Sequence, residues 1–142
     1  MKQMDANVIE QEGKQRAVLV GVEIDEDISY SMKELAQLAE AAGVEVAGEL
    51  IQKRERRDTA TYIGKGKVEE LSIACESLDA GIVIFNDELS GIQLRNVEDR
   101  IDRKVIDRTI LILDIFASRA VSREGKLQVE LAQLQYRMPR II

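Results

Sequence analysis

Two stretches of the chain are almost continuously apolar at strand length, residues 16–24 and 81–85, as a strand covered on both faces requires. Residues 44–52 alternate instead, with Val44, Val46 and Leu50 set against Glu45, Ala47 and Glu49. That alternation fits one wet face or an edge position. Lys104, Val105 and Ile106 make a short last strand. Helical spacing fills the gaps between these runs. Leu35, Leu38, Ala39 and Ala42 share one face, behind a Ser31–Glu34 capping box stapled by Tyr30 and Leu35, and Gly43 supplies the stop. Val68, Leu71, Cys75 and Leu78 form a second face behind Gly64 and Gly66. A third, Leu94, Val97 and Ile101, follows a Ser90–Gln93 capping box flanked by Leu89 and Leu94.

Strands that alternate strictly with helices predict a parallel sheet with right-handed crossovers. The two continuous runs demand central places, and the alternating and short ones demand edges, which strand order 2-1-3-4 satisfies. Beyond the last strand the period stays helical. Thr109, Leu113, Phe116 and Ala120 recur at steps of four, three and four, and after a polar break at 122–126 so do Leu127, Leu131, Leu134 and Met138. Two such helices are expected to fold back as an antiparallel coiled-coil hairpin, with Asp107 capping the first. The predicted class is α/β: a four-stranded parallel sheet, order 2-1-3-4, flanked by helices and followed by a two-helix hairpin. Residues 1–15 read as a flexible tail, 16–107 as the α/β subdomain and 108–142 as the hairpin.

Charge changes this picture more than composition does. The net charge of -6 argues against a general nucleic-acid binder, yet residues 1–52 carry 4 cations against 11 anions and residues 53–142 carry 16 against 15. Basic surface is therefore expected in the second part, notably Lys53, Arg54, Arg56, Arg57, Lys65 and Lys67 against Glu55 and Asp58. A single cysteine, Cys75, and the absence of histidine exclude an intramolecular disulfide and the common metal sites, so no metal ligand and no catalytic residue is assigned. No apolar run reaches transmembrane length and no signal peptide opens the chain, which predicts a cytoplasmic protein without a membrane span.

Three places offer chemistry. The loop Gly64-Lys65-Gly66-Lys67 lets backbone amides and lysines approach an anion at a helix start. It is not a Walker loop, because the spacing is short and Val68 stands where a hydroxyl would bind Mg²⁺; a tight strand-to-helix turn with solvated lysines is the plainer reading. Asn86, Asp87 and Glu88 follow the third strand, at the sheet edge where α/β folds place ligands, though a solvated loop explains them too. Gly64, Gly66 and Asn86, with Lys65, make a possible nucleotide or anion loop. The hairpin break carries Arg119, Arg123 and Lys126 against Glu124; basic side chains on a protruding tip can reach phosphates inside a groove, and an ordinary solvated helix connection explains them equally well.

The runs TYIGKGKVEEL (61–71), FNDELS (85–90), QLRN (93–96), VIDRTILILDIFA (105–117) and EGKLQVELAQL (124–134), with Pro139 and Arg140, resemble the N-terminal domain of the HflX family of ribosome-associated GTPases. The resemblance spans roughly residues 16–142. It implies an α/β subdomain with a two-helix coiled coil that binds the large ribosomal subunit, its tip toward the peptidyl-transferase region. It also implies a following glycine-rich linker and GTPase domain, which would use GTP and Mg²⁺. No P-loop, Asp-x-x-Gly switch or Asn-Lys-x-Asp motif occurs in these 142 residues, so no cofactor is expected for this segment. The implied role is binding of ribosomal RNA through Arg119, Arg123 and Lys126, with Arg56, Arg57, Lys65 and Lys67 as a second contact. Two alternatives stay open: an ATP- or GTP-binding α/β domain, or an intramolecular regulator of the GTPase domain.

Overall fold

The structure, a computed structural model, describes residues 14–119 and 123–141; within the latter it describes the side chains of 125 and 127–136. Most of the predicted tail, residues 1–13, lies outside the described residues. The element order is β1 (Gln15–Glu23), α1 (Ser29–Ala41), β2 (Val44–Lys53), α2 (Lys65–Leu78), β3 (Ile82–Phe85), α3 (Gly91–Ile101), β4 (Lys104–Asp107), α4 (Arg108–Arg119) and α5 (Arg123–Ile141). All three strand pairs are parallel and the order is β2-β1-β3-β4. The continuous apolar runs hold the centre, where Val18, Leu19, Val20, Val83, Ile84 and Phe85 are buried.

Right-handed crossovers put α1 on one face of this sheet and α2 with α3 on the other. Helix α4 joins α1 on its face, and α5 packs against α3 and α4. The second and third helices begin where their sequences ask them to. Gly64 is the N-cap of α2, and Ser90 caps α3 with both halves of the capping box made. Gly43 ends α1 with a φ of 80°, a conformation that glycine adopts without strain.

Two local predictions fail. Helix α1 begins at Ser29, its N-cap is Ile28, and no side chain caps it. The Ser31 hydroxyl instead accepts from Asn86 Nδ2 at 2.8 Å and from Arg108 Nη1 at 3.3 Å, while Tyr30 is 75% exposed and staples nothing. Long-range partners won this hydroxyl from the local backbone. The second failure concerns the seam between α4 and α5. The two helices are antiparallel, since Asp107 meets Tyr136 and Asp114 meets Gln133. Yet Phe116, Leu127, Leu131 and Leu134 are each 54–57% exposed. The side chains that bury α4 are Ile110, Leu111 and Ile115. On α5 the half-buried set is Gly125, Val129, Ala132, Gln133 and Tyr136, nearly opposite the leucines. Tyr136 and Gln133, bonded to Asp107 and Asp114, hold this stripe inward. Of the predicted seam, Thr109 and Leu113 are half-buried, while Ala120 and the Met138 side chain lie outside the described residues.

Candidate nucleic-acid interface

Between β2 and α2 the chain does more than connect. Asp58 organises residues 58–62: its Oδ1 accepts from Ala60 N at 2.8 Å and from Thr61 N at 3.0 Å, the Asx turn that Asp favours. These amides, Ala60 foremost, hold the Asp58 carboxyl below the usual carboxylate range. Asp58 and Tyr62 then form an antiparallel bridge, and Tyr62 takes a φ of 69°. A left-handed tyrosine costs backbone energy, which its surroundings offset. The ring is buried and meets Phe85 edge-on, centroids 5.8 Å apart. Its hydroxyl accepts from Arg57 Nε at 2.7 Å and donates to Asp87. Burial, followed by that bond to Asp87, pushes the hydroxyl pKa well up, so it stays a donor.

Helix α3 grips this loop from the other side. Gln93 Nε2 donates to the Asp58 carbonyl at 2.8 Å and Asn96 Nδ2 to the Ala60 carbonyl at 2.9 Å. The loop is thus a fixed platform at the carboxyl edge of the sheet. On it Arg57 is spent, held by Tyr62 and 3.5 Å from Asp87. Arg56 is exposed, and its side chain makes no ion pair among the described residues. Lys65 is exposed on the first turn of α2 and equally unpaired, whereas Lys67 reaches Glu70 at 3.2 Å. Arg119 stands exposed at the end of α4, about 18 Å of helix from the Asp107 cap. The side chains of Arg123 and Lys126 lie outside the described residues.

The possible anion loop does not converge. Gly64 N donates to Gln52 Oε1 at 2.9 Å. Asn86 is buried, its Nδ2 bonded to Ser31 and its Oδ1 accepting from Arg108 Nη1 at 3.0 Å. A Cβ at Gly66 would meet nothing within 4 Å, so no backbone approach demands that glycine. Nearby, the open cleft beside the ends of β1 and β2 is lined by five carboxylates (Glu23, Asp25, Glu26, Asp27, Glu55) and two cations, Lys53 and Arg54. Such a wall repels a polyphosphate. Titration of the chain with ATP or GTP at millimolar concentration is therefore expected to release no heat, as calorimetry would check.

Sequence reasoning passed over Asp58, Tyr62, Gln93 and Asn96 as the residues that fix the platform. The Asp58-x-Ala60-Thr61 pattern is a readable turn signal, but the α3 amides that complete it act over more than thirty residues.

A family profile described as GTP-binding GTPase N-terminal matches residues 29–117, and one described as GTP-binding GTPase Middle Region matches residues 119–142. The chain belongs to the HflX family of GTP-binding proteins. It is 53% identical over 129 residues to the GTPase HflX of Caldanaerobacter subterraneus subsp. tengcongensis, 91% of this chain and 30% of that protein. To the GTPase HflX of Escherichia coli K12 it is 40% identical over 129 residues, 90% of this chain and 29% of that protein. A GTP-binding protein from Sulfolobus solfataricus, solved in complex with GDP, superposes with a TM-score of 0.69 at 25% identity, over 89% of this chain and 38% of that one. The chain thus spans under a third of the lengths of these HflX relatives. The two family profiles divide at residues 117 and 119, where α4 ends, so α5 falls in the HflX middle region. Among the described residues no helix is long and apolar enough to cross a membrane.

Proposed function

We propose that this chain is the ribosome-contacting N-terminal part of an HflX-type GTPase, acting in the cytoplasm. It binds ribosomal RNA of the large subunit through cationic side chains, carries no chemistry of its own, and positions a GTPase domain of the same protein, which uses GTP and Mg²⁺. One observation carries the reading: on a chain of net charge -6, Arg56, Lys65 and Arg119 stand exposed and unpaired among the described residues, on the Asp58 loop, the first turn of α2 and the end of α4. An acidic body with a few fixed cations discriminates against bulk nucleic acid and favours an RNA surface whose phosphates match their places.

Co-sedimentation of the chain with purified large subunits over a salt series tests the reading. Binding is expected to fall linearly in logarithm with log salt. Replacing Arg119, Arg123 and Lys126 together by alanine should flatten that slope by about 2–3, close to one unit for each lost phosphate contact. Unchanged affinity and slope in the triple variant would remove the arm end from the interface. Absence of binding by the parent chain at low salt would remove the whole reading.

A further inference from the structure

β2 is an edge strand that pairs only with β1, so one side of its backbone has no neighbouring strand among the described residues. The register shifts once, at Ala47, and from Gly48 to Lys53 the strand runs regularly beside Val18 to Glu23. Over that stretch exposure alternates: Glu49, Ile51 and Lys53 are exposed while Leu50 and Gln52 are half-buried. Ile51 is 38% exposed; Glu49 makes no ion pair among the described residues, and Lys53, though it borders the acidic cleft at the end of β2, is bonded to none of its carboxylates. One face of a free edge therefore reads acid, apolar, base at spacings of two.

We propose that this edge is a self-association surface, on which two copies pair their β2 strands antiparallel about a two-fold axis at Ile51. In that register Ile51 faces its own symmetry mate, and each Glu49 faces the Lys53 of the other copy. Two opposite-charge cross-strand pairs then flank an apolar one. Centring on Glu49 or on Lys53 instead would oppose like charges, and a one-residue slip would turn the pattern to the wrong face. Charges and bulges commonly blunt an edge. Here the bulge lies outside the regular stretch, and the two charges have opposite sign, so they repel most registers and match one. The product is a continuous sheet through β1-β2-β2′-β1′. Pairing over so few residues buries less than about 1,200 Å², the size of weak and transient contacts.

Sedimentation velocity of the 142-residue chain, from about 10 µM to about 1 mM, reads the association. A concentration-dependent dimer is expected. Glu49→Lys or Lys53→Glu alone turns both attractive pairs repulsive and should weaken the dimer about tenfold or more, while the double exchange restores it. Positions 49, 51 and 53 are surface sites, and far-UV circular dichroism confirms that each variant is folded. A short bismaleimide should also couple Ile51→Cys protomers to each other, and the parent chain, whose Cys75 is buried, should give no product. A monomer at every concentration without coupling at position 51 overturns the proposal. So does a dimer indifferent to the single exchanges, since it would then use another surface such as the exposed leucines of α5.

Discussion

Asp107→Ala is expected to lower the unfolding free energy by about 3–5 kcal/mol, the largest effect of any polar substitution among the described residues. Asp107 is fully buried, and three elements send a donor to its carboxylate. Oδ1 accepts from Ile110 N at 3.0 Å in the first turn of α4. Oδ2 accepts from Leu89 N at 3.0 Å, in the loop after β3, and from the Tyr136 hydroxyl at 2.6 Å, on α5. Alanine takes this acceptor from two buried amides, at about 1–3 kcal/mol each, and removes a helix cap worth about 1 kcal/mol that overlaps with one of them. Tyr136→Phe removes only the bond to α5 and should cost about 1 kcal/mol. Asp107→Asn keeps the volume and one oxygen but turns an amide N–H₂ toward a donor, so it should fall between the two. Urea denaturation orders the three. If Tyr136→Phe proves as costly as Asp107→Ala, the carboxylate is not the joint between base and arm.

The same residue shows what a sequence can disclose. Asp107 was readable as a cap because Asp directly before a helical period is a local signal, and the Ser90–Gln93 box was readable for the same reason. Strand order was readable because burial on both faces leaves a continuous apolar run, so residues 16–24 and 81–85 claimed the centre. Ser31 misled because a hydroxyl fits a cap and a tertiary network equally well, and Asn86 and Arg108 lie 55 and 77 residues away. The arm misled differently. α5 carries two stripes at helical spacing, one of leucines and one built on Gly125, Val129, Ala132 and Tyr136. Hydrophobicity ranks the leucines first, whereas Asp107 and Asp114 bond Tyr136 and Gln133 and so turn the other stripe inward. At the candidate interface the cations were legible by type, but their division was not. Arg57 is consumed by Tyr62 and Asp87 and Lys67 by Glu70, which leaves Arg56 and Lys65 available.

Phe85→Ala should lower stability by about 3–5 kcal/mol, the range for emptying a buried phenylalanine site. For a chain of this size that is a fall in Tm of roughly 10–20 °C. Phe85 ends the central strand β3, is fully buried, and supports the Tyr62 ring edge-on. Its removal therefore empties the core directly beneath the platform that carries Arg56. Phe85→Leu separates the two consequences. It keeps most of the volume and should cost under about 1.5 kcal/mol, yet it deletes the aromatic edge contact. Amide exchange at residues 58–63 should then quicken while exchange in β1 stays as it was, because a local opening needs less free energy than global unfolding. Salt-dependent sedimentation with large subunits would show whether the platform matters to binding: in Phe85→Leu the contact through Arg56 and Lys65 should weaken while that through Arg119 persists. Should the loop amides remain as protected as in the parent chain, the Asp58 turn and the α3 side chains suffice to hold it, and the aromatic pair serves the core alone.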